Sequence, residues 1–155
     1  MPFFKACYAV RRVQLPSYKS TELLAVHVYE AFVNLLFIII YRRGSLAVNS
    51  MFFDDFADII ERVAVFAASL VIVGDEVSST STTSFNDILA SADLVQHVTG
   101  PTHRAGHTLE ILITQSSTTA SVLVEPPISD HSLITVGLLP SHVIPPADIA
   151  VIRRQ

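Results

Sequence analysis

Short apolar runs separated by polar breaks mark the chain, and the period of each run predicts its structure. Residues 22–29 alternate apolar and polar side chains imperfectly, as a half-buried strand does. Residues 35–41 read Leu-Leu-Phe-Ile-Ile-Ile-Tyr. This run is short, continuous and β-branched, which predicts a strand buried on both faces. Asn34 reads as a turn residue before it, and Arg43, Gly44 and Ser45 end it. From Ser50 to Ala67 the period changes. Phe52, Phe53, Phe56, Ile59, Ile60, Val63 and Phe66 recur every three or four positions and form one stripe of an amphipathic helix. Asn49 or Ser50 can cap it. Asp54, Asp55 and Asp58 suit the positive end of its dipole, and Asp58 can pair with Arg62 one turn on. Residues 70–73 predict another buried strand, closed by Gly74.

Residues 78–84 are all Ser or Thr and predict a loop. Ser84 with Asp87 resembles a capping box for a short helix carrying Phe85, Ile88 and Leu89. Residues 98–106 are rich in turn formers. Residues 108–114, 121–124 and 132–138 read as strands, and the tail from Pro140 reads as a linker. The first twenty residues show no clear period. Strand, helix, strand, short helix and further strands predict a layered α/β (α+β) fold. No internal repeat is visible.

Composition narrows the class. The chain has 155 residues, half of them apolar and 15% charged, which suits one globular domain and excludes a disordered tail. The single cysteine, Cys7, excludes a disulfide framework and a Cys-rich zinc module. Ten basic against fourteen acidic residues give a net charge of −4. A strong general nucleic-acid binder is usually basic. The longest apolar runs, 35–40 and 63–73, fall short of the ~20 residues of a spanning helix, so no membrane association is predicted. Lys5, Arg11 and Arg12 interrupt the N-terminal stretch, which does not read as a secretory signal. The expected setting is intracellular, nucleus or cytoplasm, and reducing.

Several side chains could carry chemistry. Asp75 follows Gly74 at the end of an apolar strand, where α/β sheets often build sites, and where an exposed turn would also put it. Ser129, Asp130 and His131 are not a serine triad, because sequential neighbours on an extended chain point to alternate faces. Asp130 could hold a cation while His131 meets a phosphate, or the segment could be a plain polar loop. Glu110 lies in an apolar segment, so it must be exposed or paired, and a histidine is a natural partner. Tyr41, beside Arg42 and Arg43, ends a strand and could meet a phosphate. His97, His103 and His107 lack zinc-ligand spacing and read as a loop exposing imidazoles.

Four segments then agree in order and spacing. They are Gly74 and Asp75 after Leu-Val-Ile-Val; 94–103, with Gly100, Pro101, Thr102 and His103; 107–114, centred on Glu110; and 128–134, holding Ser129, Asp130 and His131. Together they resemble the endonuclease/exonuclease/phosphatase (apurinic-endonuclease-like) domain of non-LTR retrotransposons, from about residue 21 to residue 139. The resemblance implies a four-layer α/β sandwich of mixed sheets flanked by helices, present here in part. Residues 1–20 would be a leader without a family match, and 140–155 a linker-like tail. It also implies phosphodiester hydrolysis on DNA with Mg²⁺ (or Mn²⁺). Tyr41 matches the phosphate-side tyrosine and Asp75 the aspartate that aligns or deprotonates the attacking water. Glu110 stands where the family usually has Asp orienting the active-site histidine. His131 matches that histidine, which contacts the scissile phosphate. Asp130 and Asp75 would serve the metal.

Three departures accompany the resemblance. The family continues Gly-Asp with an aromatic residue and Asn; this chain has Glu76 and Val77, and Val cannot hydrogen-bond. Losing one such donor typically costs ~10²–10³ in rate. Glu110 is one methylene longer than Asp. Nothing in residues 1–20 resembles the family's early strands, its Asn near the site or its principal metal Glu. The departures imply a truncated copy of a retroelement reading frame with impaired or no activity, or a non-catalytic remnant acting as a binding module. Uncovered sheet edges and faces would favour self-association.

Overall fold

A computed structural model of the chain describes residues 8–30, 33–42, 50–75, 83–118, 120–127 and 129–138. Six strands form one sheet and two more a separate antiparallel pair. In chain order the elements are β1 (Ala9–Val13), β2 (Glu22–Glu30), β3 (Val33–Tyr41), α1 (Ser50–Val63), β4 (Ser69–Asp75), α2 (Thr83–Ser91), β5 (Leu94–Gln96), β6 (Ile111–Gln115), β7 (Ala120–Pro127) and β8 (Ser132–Leu138). The large sheet runs β1-β2-β3-β4-β6-β5. It is mixed: β3 and β4 are parallel, and the other pairs are antiparallel. The parallel pair spans the segment that contains α1, because parallel neighbours need a crossover.

Strand alternation divides the sheet's side chains between two faces. On one face Leu36, Ile38, Ile40, Leu70, Ile72, Ile111 and Ile113 pack against Phe52, Phe56, Ile59, Ile60 and Val63 of α1 and Phe85 and Leu89 of α2. On the other face Val71, Val98 and Leu112 are buried, with Leu35, Phe37 and Val73 partly so. Val122, Ile134, Val136 and Leu138 of the β7–β8 ribbon cover them. The described residues therefore stack as helices, six-stranded sheet and ribbon, an α+β sandwich of the class read from the sequence.

Local differences have local causes. The helix stops at Val63, where Ala64 N–H bonds the Ile60 carbonyl and Phe66 N–H bonds the Val63 carbonyl in a turn. Asp55 and Asp58 serve tertiary contacts, and no acid lies in the first turn. Asp55 Oδ2 accepts bonds from Ser20 N–H (3.2 Å) and Oγ (2.6 Å). Asp58 Oδ2 accepts from Tyr18 O–H (2.7 Å) and from Arg62 Nε (2.6 Å), as the spacing predicted for the latter. Burial first, then the Asp58 carboxylate, pushes the Tyr18 phenol up to about 12. Ser84 lies inside α2 and does not cap it. Asn34 lies within β3, not in a turn; its side chain joins His27 Nε2 (2.6 Å) and the Ala67 carbonyl. β1, in the stretch without a period, pairs with β2 through Ala9↔Tyr29 to Val13↔Ala25. The strand expected from residue 108 starts at Ile111, because Thr108 Oγ1 and Leu109 N–H bond to the preceding loop instead. Arg43, Gly44, Asn49 and the tail from Pro140 lie outside the described residues. Among the described residues no helix is long and apolar enough to cross a membrane.

Candidate active site

The parallel strands β3 and β4 end side by side, with Tyr41 opposite Asp75. Gly74 pairs with Ile111, so Asp75 and Glu110 are the next residues out along β4 and β6. Register alone thus brings Tyr41, Asp75 and Glu110 to one end of the sheet, although the first and last are 69 positions apart in sequence. Gly74 holds this arrangement by lacking a side chain rather than by turning. A Cβ there would sit 2.9 Å from the Ile40 carbonyl oxygen and 3.0 Å from Ile111 Cγ1. Tyr41 is 46% exposed, on the face of Leu35 and Phe37. The Asp75 side chain lies outside the described residues.

A tight loop brings the second half. Thr102 N–H and His103 N–H both bond to the His107 carbonyl, and Gly106 N–H bonds back to His103. Gly106 has φ +84°, a conformation that glycine adopts without a Cβ clash. Thr102 is fully buried, and its Oγ1 accepts the Leu109 N–H at 3.0 Å. The loop is stitched to the segment before β8. Ser132 N–H donates to the Thr102 carbonyl (2.7 Å), Arg104 N–H to the Asp130 carbonyl (2.9 Å), and His103 and His131 form a β-bridge.

His131 sits at the centre. Its Nδ1 lies 2.5 Å from Glu110 Oε1. Burial opposes ionisation of Glu110, but the Thr102 hydroxyl, His131 and its own backbone N–H outweigh it and hold the carboxyl below its usual range. An ionised carboxylate only accepts, so His131 Nδ1 is the donor and the neutral ring carries its lone pair on Nε2. The extra methylene of Glu110 does not prevent this pairing. Asp130 is exposed, and Ser129 Oγ donates to its Oδ1 at 3.0 Å. That bond, helped by its own backbone and by His131 and His103, keeps Asp130 below the usual carboxylate range. The His103 ring meets His131 edge to face at 5.1 Å. One ligand atom from each of His103, Asp130 and His131 lies within 4.8 Å of the others.

Glu110, Asp130 and His131 therefore come together, while Tyr41 and the backbone of Asp75 stand at the adjoining strand ends. Sequence reading missed Thr102 and His103 as site residues. Their only signal was the motif Gly-Pro-Thr-His, and the three loop imidazoles looked equivalent. They are not. His97 Nε2 bonds Thr114 Oγ1 at 2.8 Å, and burial lowers its pKa. His107 is exposed, and only His103 reaches Asp130. Arg42, next to Tyr41, is buried at 3% exposure.

No protein-family model matches the chain, and no curated protein matches its sequence. Solved structures do match. The endonuclease domain of TRAS1, a telomere-specific non-LTR retrotransposon, is similar with a TM-score of 0.64, at 15% identity, over 87% of this chain and 69% of that one. A Bacteroides thetaiotaomicron endonuclease/exonuclease/phosphatase family protein is similar at 0.51, 10% identity, over 75% and 54%. The chain has the endonuclease/exonuclease/phosphatase fold. The catalytic domain of human Nocturnin shares this fold at a TM-score of 0.57 and 14% identity, over 88% of this chain and 62% of that domain. Identities this low speak for the endonuclease/exonuclease/phosphatase fold alone, and the fold is what the four sequence segments implied.

Proposed function

We propose that this chain is a metal-dependent phosphodiester hydrolase, a DNA endonuclease unit of retroelement origin with weakened chemistry. The Glu110–His131 pair beside Asp130 supports the reading best, at the strand ends where Tyr41 and Asp75 stop. Glu110 fixes the imidazole so that Nε2 faces a scissile phosphate. Protonated, that nitrogen would stabilise charge on the phosphate oxygens. Tyr41 supplies a half-exposed phenol to the same phosphate. Asp75 aligns or deprotonates the attacking water. The unit spans residues 21–139 together with β1, which pairs into the same sheet, and 140–155 serve as a linker.

The donors at this site suit a hard divalent ion. Mg²⁺ and Mn²⁺ favour oxygen, and Mg²⁺ keeps several waters beside one or two carboxylates. Asp130, ionised and exposed, fits this requirement, and Asp75 at the neighbouring strand end is the second ligand of the proposal. When bound, such an ion neutralises charge developing on the phosphate. DNA is the partner this reading requires. Chain-to-chain pairing along the β1 or β5 edge is the other association it allows.

Plasmid nicking by the purified chain tests the reading. Nicking is expected in Mg²⁺, lost in EDTA, and reduced ~10²-fold or more in His131→Ala and Asp75→Ala. Nicking that survives both substitutions belongs to a contaminant and removes the proposal. A second reading, a non-catalytic remnant retained as a binding surface, is favoured by Val77 in place of a hydrogen-bonding Asn. It predicts no nicking and no Mg²⁺-dependent rise in Tm.

A further inference from the structure

We propose that His103, Asp130 and His131 form a binding site for a borderline divalent metal, Zn²⁺ in the first instance, distinct in ligand chemistry from a Mg²⁺ site. Two imidazoles and one carboxylate are the donors that Zn²⁺ takes, whereas Mg²⁺ prefers oxygen alone. The three ligand atoms already lie within 4.8 Å of one another. Zn²⁺ at ~2.0–2.1 Å from each of its ligands would set them ~3.3 Å apart, so separations shorten by ~1.5 Å at most. Asp130 is exposed and both histidines are partly so, which leaves their side chains room to close.

The backbone supports this grouping independently of the side chains. The His103–His131 bridge fixes the two ligand-bearing segments in register, and Arg104 N–H bonded to the Asp130 carbonyl pins the third. Glu110 adds a second observation. Its carboxylate accepts the hydrogen bond of His131 Nδ1–H, which leaves the lone pair of the neutral ring on Nε2. Metal-ligating histidines almost always have such a partner on the other ring nitrogen. On His103, Nδ1 accepts the Ala105 N–H at 3.2 Å, which places the proton of the neutral ring on Nε2. Binding there requires the ring to give up the Ala105 bond, through Nδ1 directly or by a tautomer change. The Ala105 amide therefore reports occupancy. Three protein ligands leave a fourth position open.

Metal binding itself does not depend on the hydrolase reading. One consequence does: the site shares Asp130 and His131 with the proposed catalytic set, so Zn²⁺ would oppose Mg²⁺-supported nicking.

The test is a titration of the EDTA-stripped chain with Co²⁺, followed by its visible d–d absorption, and then displacement by Zn²⁺. One metal per chain is expected, with a shift of the Ala105 amide resonance on binding. His103→Gln and Asp130→Asn should each weaken Zn²⁺ binding ~100-fold, and Glu110→Gln ~10–100-fold. His107→Gln, one turn of the loop away and exposed, should leave it unchanged. Circular dichroism of each variant establishes that it is folded. Absence of stoichiometric Zn²⁺ binding by the folded chain would overturn the proposal. So would binding that survives His103→Gln, or that His107→Gln removes. None of these outcomes requires nicking activity, so a chain that never cuts DNA still decides the question.

Discussion

The two faces of the six-stranded sheet differ sharply. The helix-covered face buries a continuous apolar mass, in which Phe52, Phe56 and Phe85 stack with ring centroids 5.3–6.0 Å apart along the series. The apolar cluster buried on the ribbon-covered face is only Val71, Val98 and Leu112 among the described residues, and the ribbon leaves Leu123 and Leu133 more than half exposed. Yet Glu110, Asp130, His131 and His103 all belong to the thin side. A polar cluster needs a region where charges keep access to water, because burying an unpaired charge is costly. The thick face holds the strands in place, and the thin face uses the positions they fix.

The largest effect expected from this contrast is a core deletion. Phe56→Ala should cost ~3–5 kcal/mol in urea denaturation, while Leu123→Ala on the outer ribbon should stay within ~0.5 kcal/mol. Equal costs would break the comparison. Next is Gly74→Ala, which forces a methyl against the backbone oxygen of Ile40 and should cost ~1–3 kcal/mol. Because Gly74 precedes Asp75, nicking should fall even at temperatures where the variant is folded.

Acid should act through the thin face. His97 is lowered by burial, so its contribution is complete above its ordinary 6.5 and is lost as pH falls through the depressed value. Glu110 is also lowered, so its contribution is complete above 4.5 and is lost at more acid pH. Tm should therefore decline in two stages on acidification. Glu110→Gln should flatten the second stage and leave the first.

The smallest effect is expected at the alkaline end, on the helix side. Tyr18 is raised, so its contribution is present below 10.0 and is lost as pH climbs through about 12. Tyr18→Phe should remove that alkaline slope in a Tm–pH profile and change little near neutrality, since the pair stands partly in solvent.

The helix-side core was legible because it repeats. The stripe from Phe52 to Val63 declares its period, and the run from Leu35 to Tyr41 its continuous β-branched character, within a dozen residues. β1 and β5 were not legible. β1 is nearly all exposed along its length, and β5 has three residues, too few for any period. Asp55 and Asp58 looked like dipole partners because sequence cannot show Ser20 and Tyr18 arriving from 35 and 40 residues away. The site was legible in part. Glu110 in an apolar run needs a partner, and that need pointed to a histidine. The family resemblance named that histidine as His131, and the pairing is present. That His103 rather than His97 or His107 would stand beside Asp130 had no signal beyond the motif Gly-Pro-Thr-His.

Local pattern was enough to find most of the strands, the long helix and the residue types that could carry chemistry, because apolar periodicity and residue chemistry are local properties. Tertiary structure alone decided the neighbours. The parallel pairing of β3 with β4, the approach allowed by the bare Cα of Gly74, and the bridge between His103 and His131 all join residues far apart in the chain. Such contacts depend on how faces are buried against one another, a property no single segment carries.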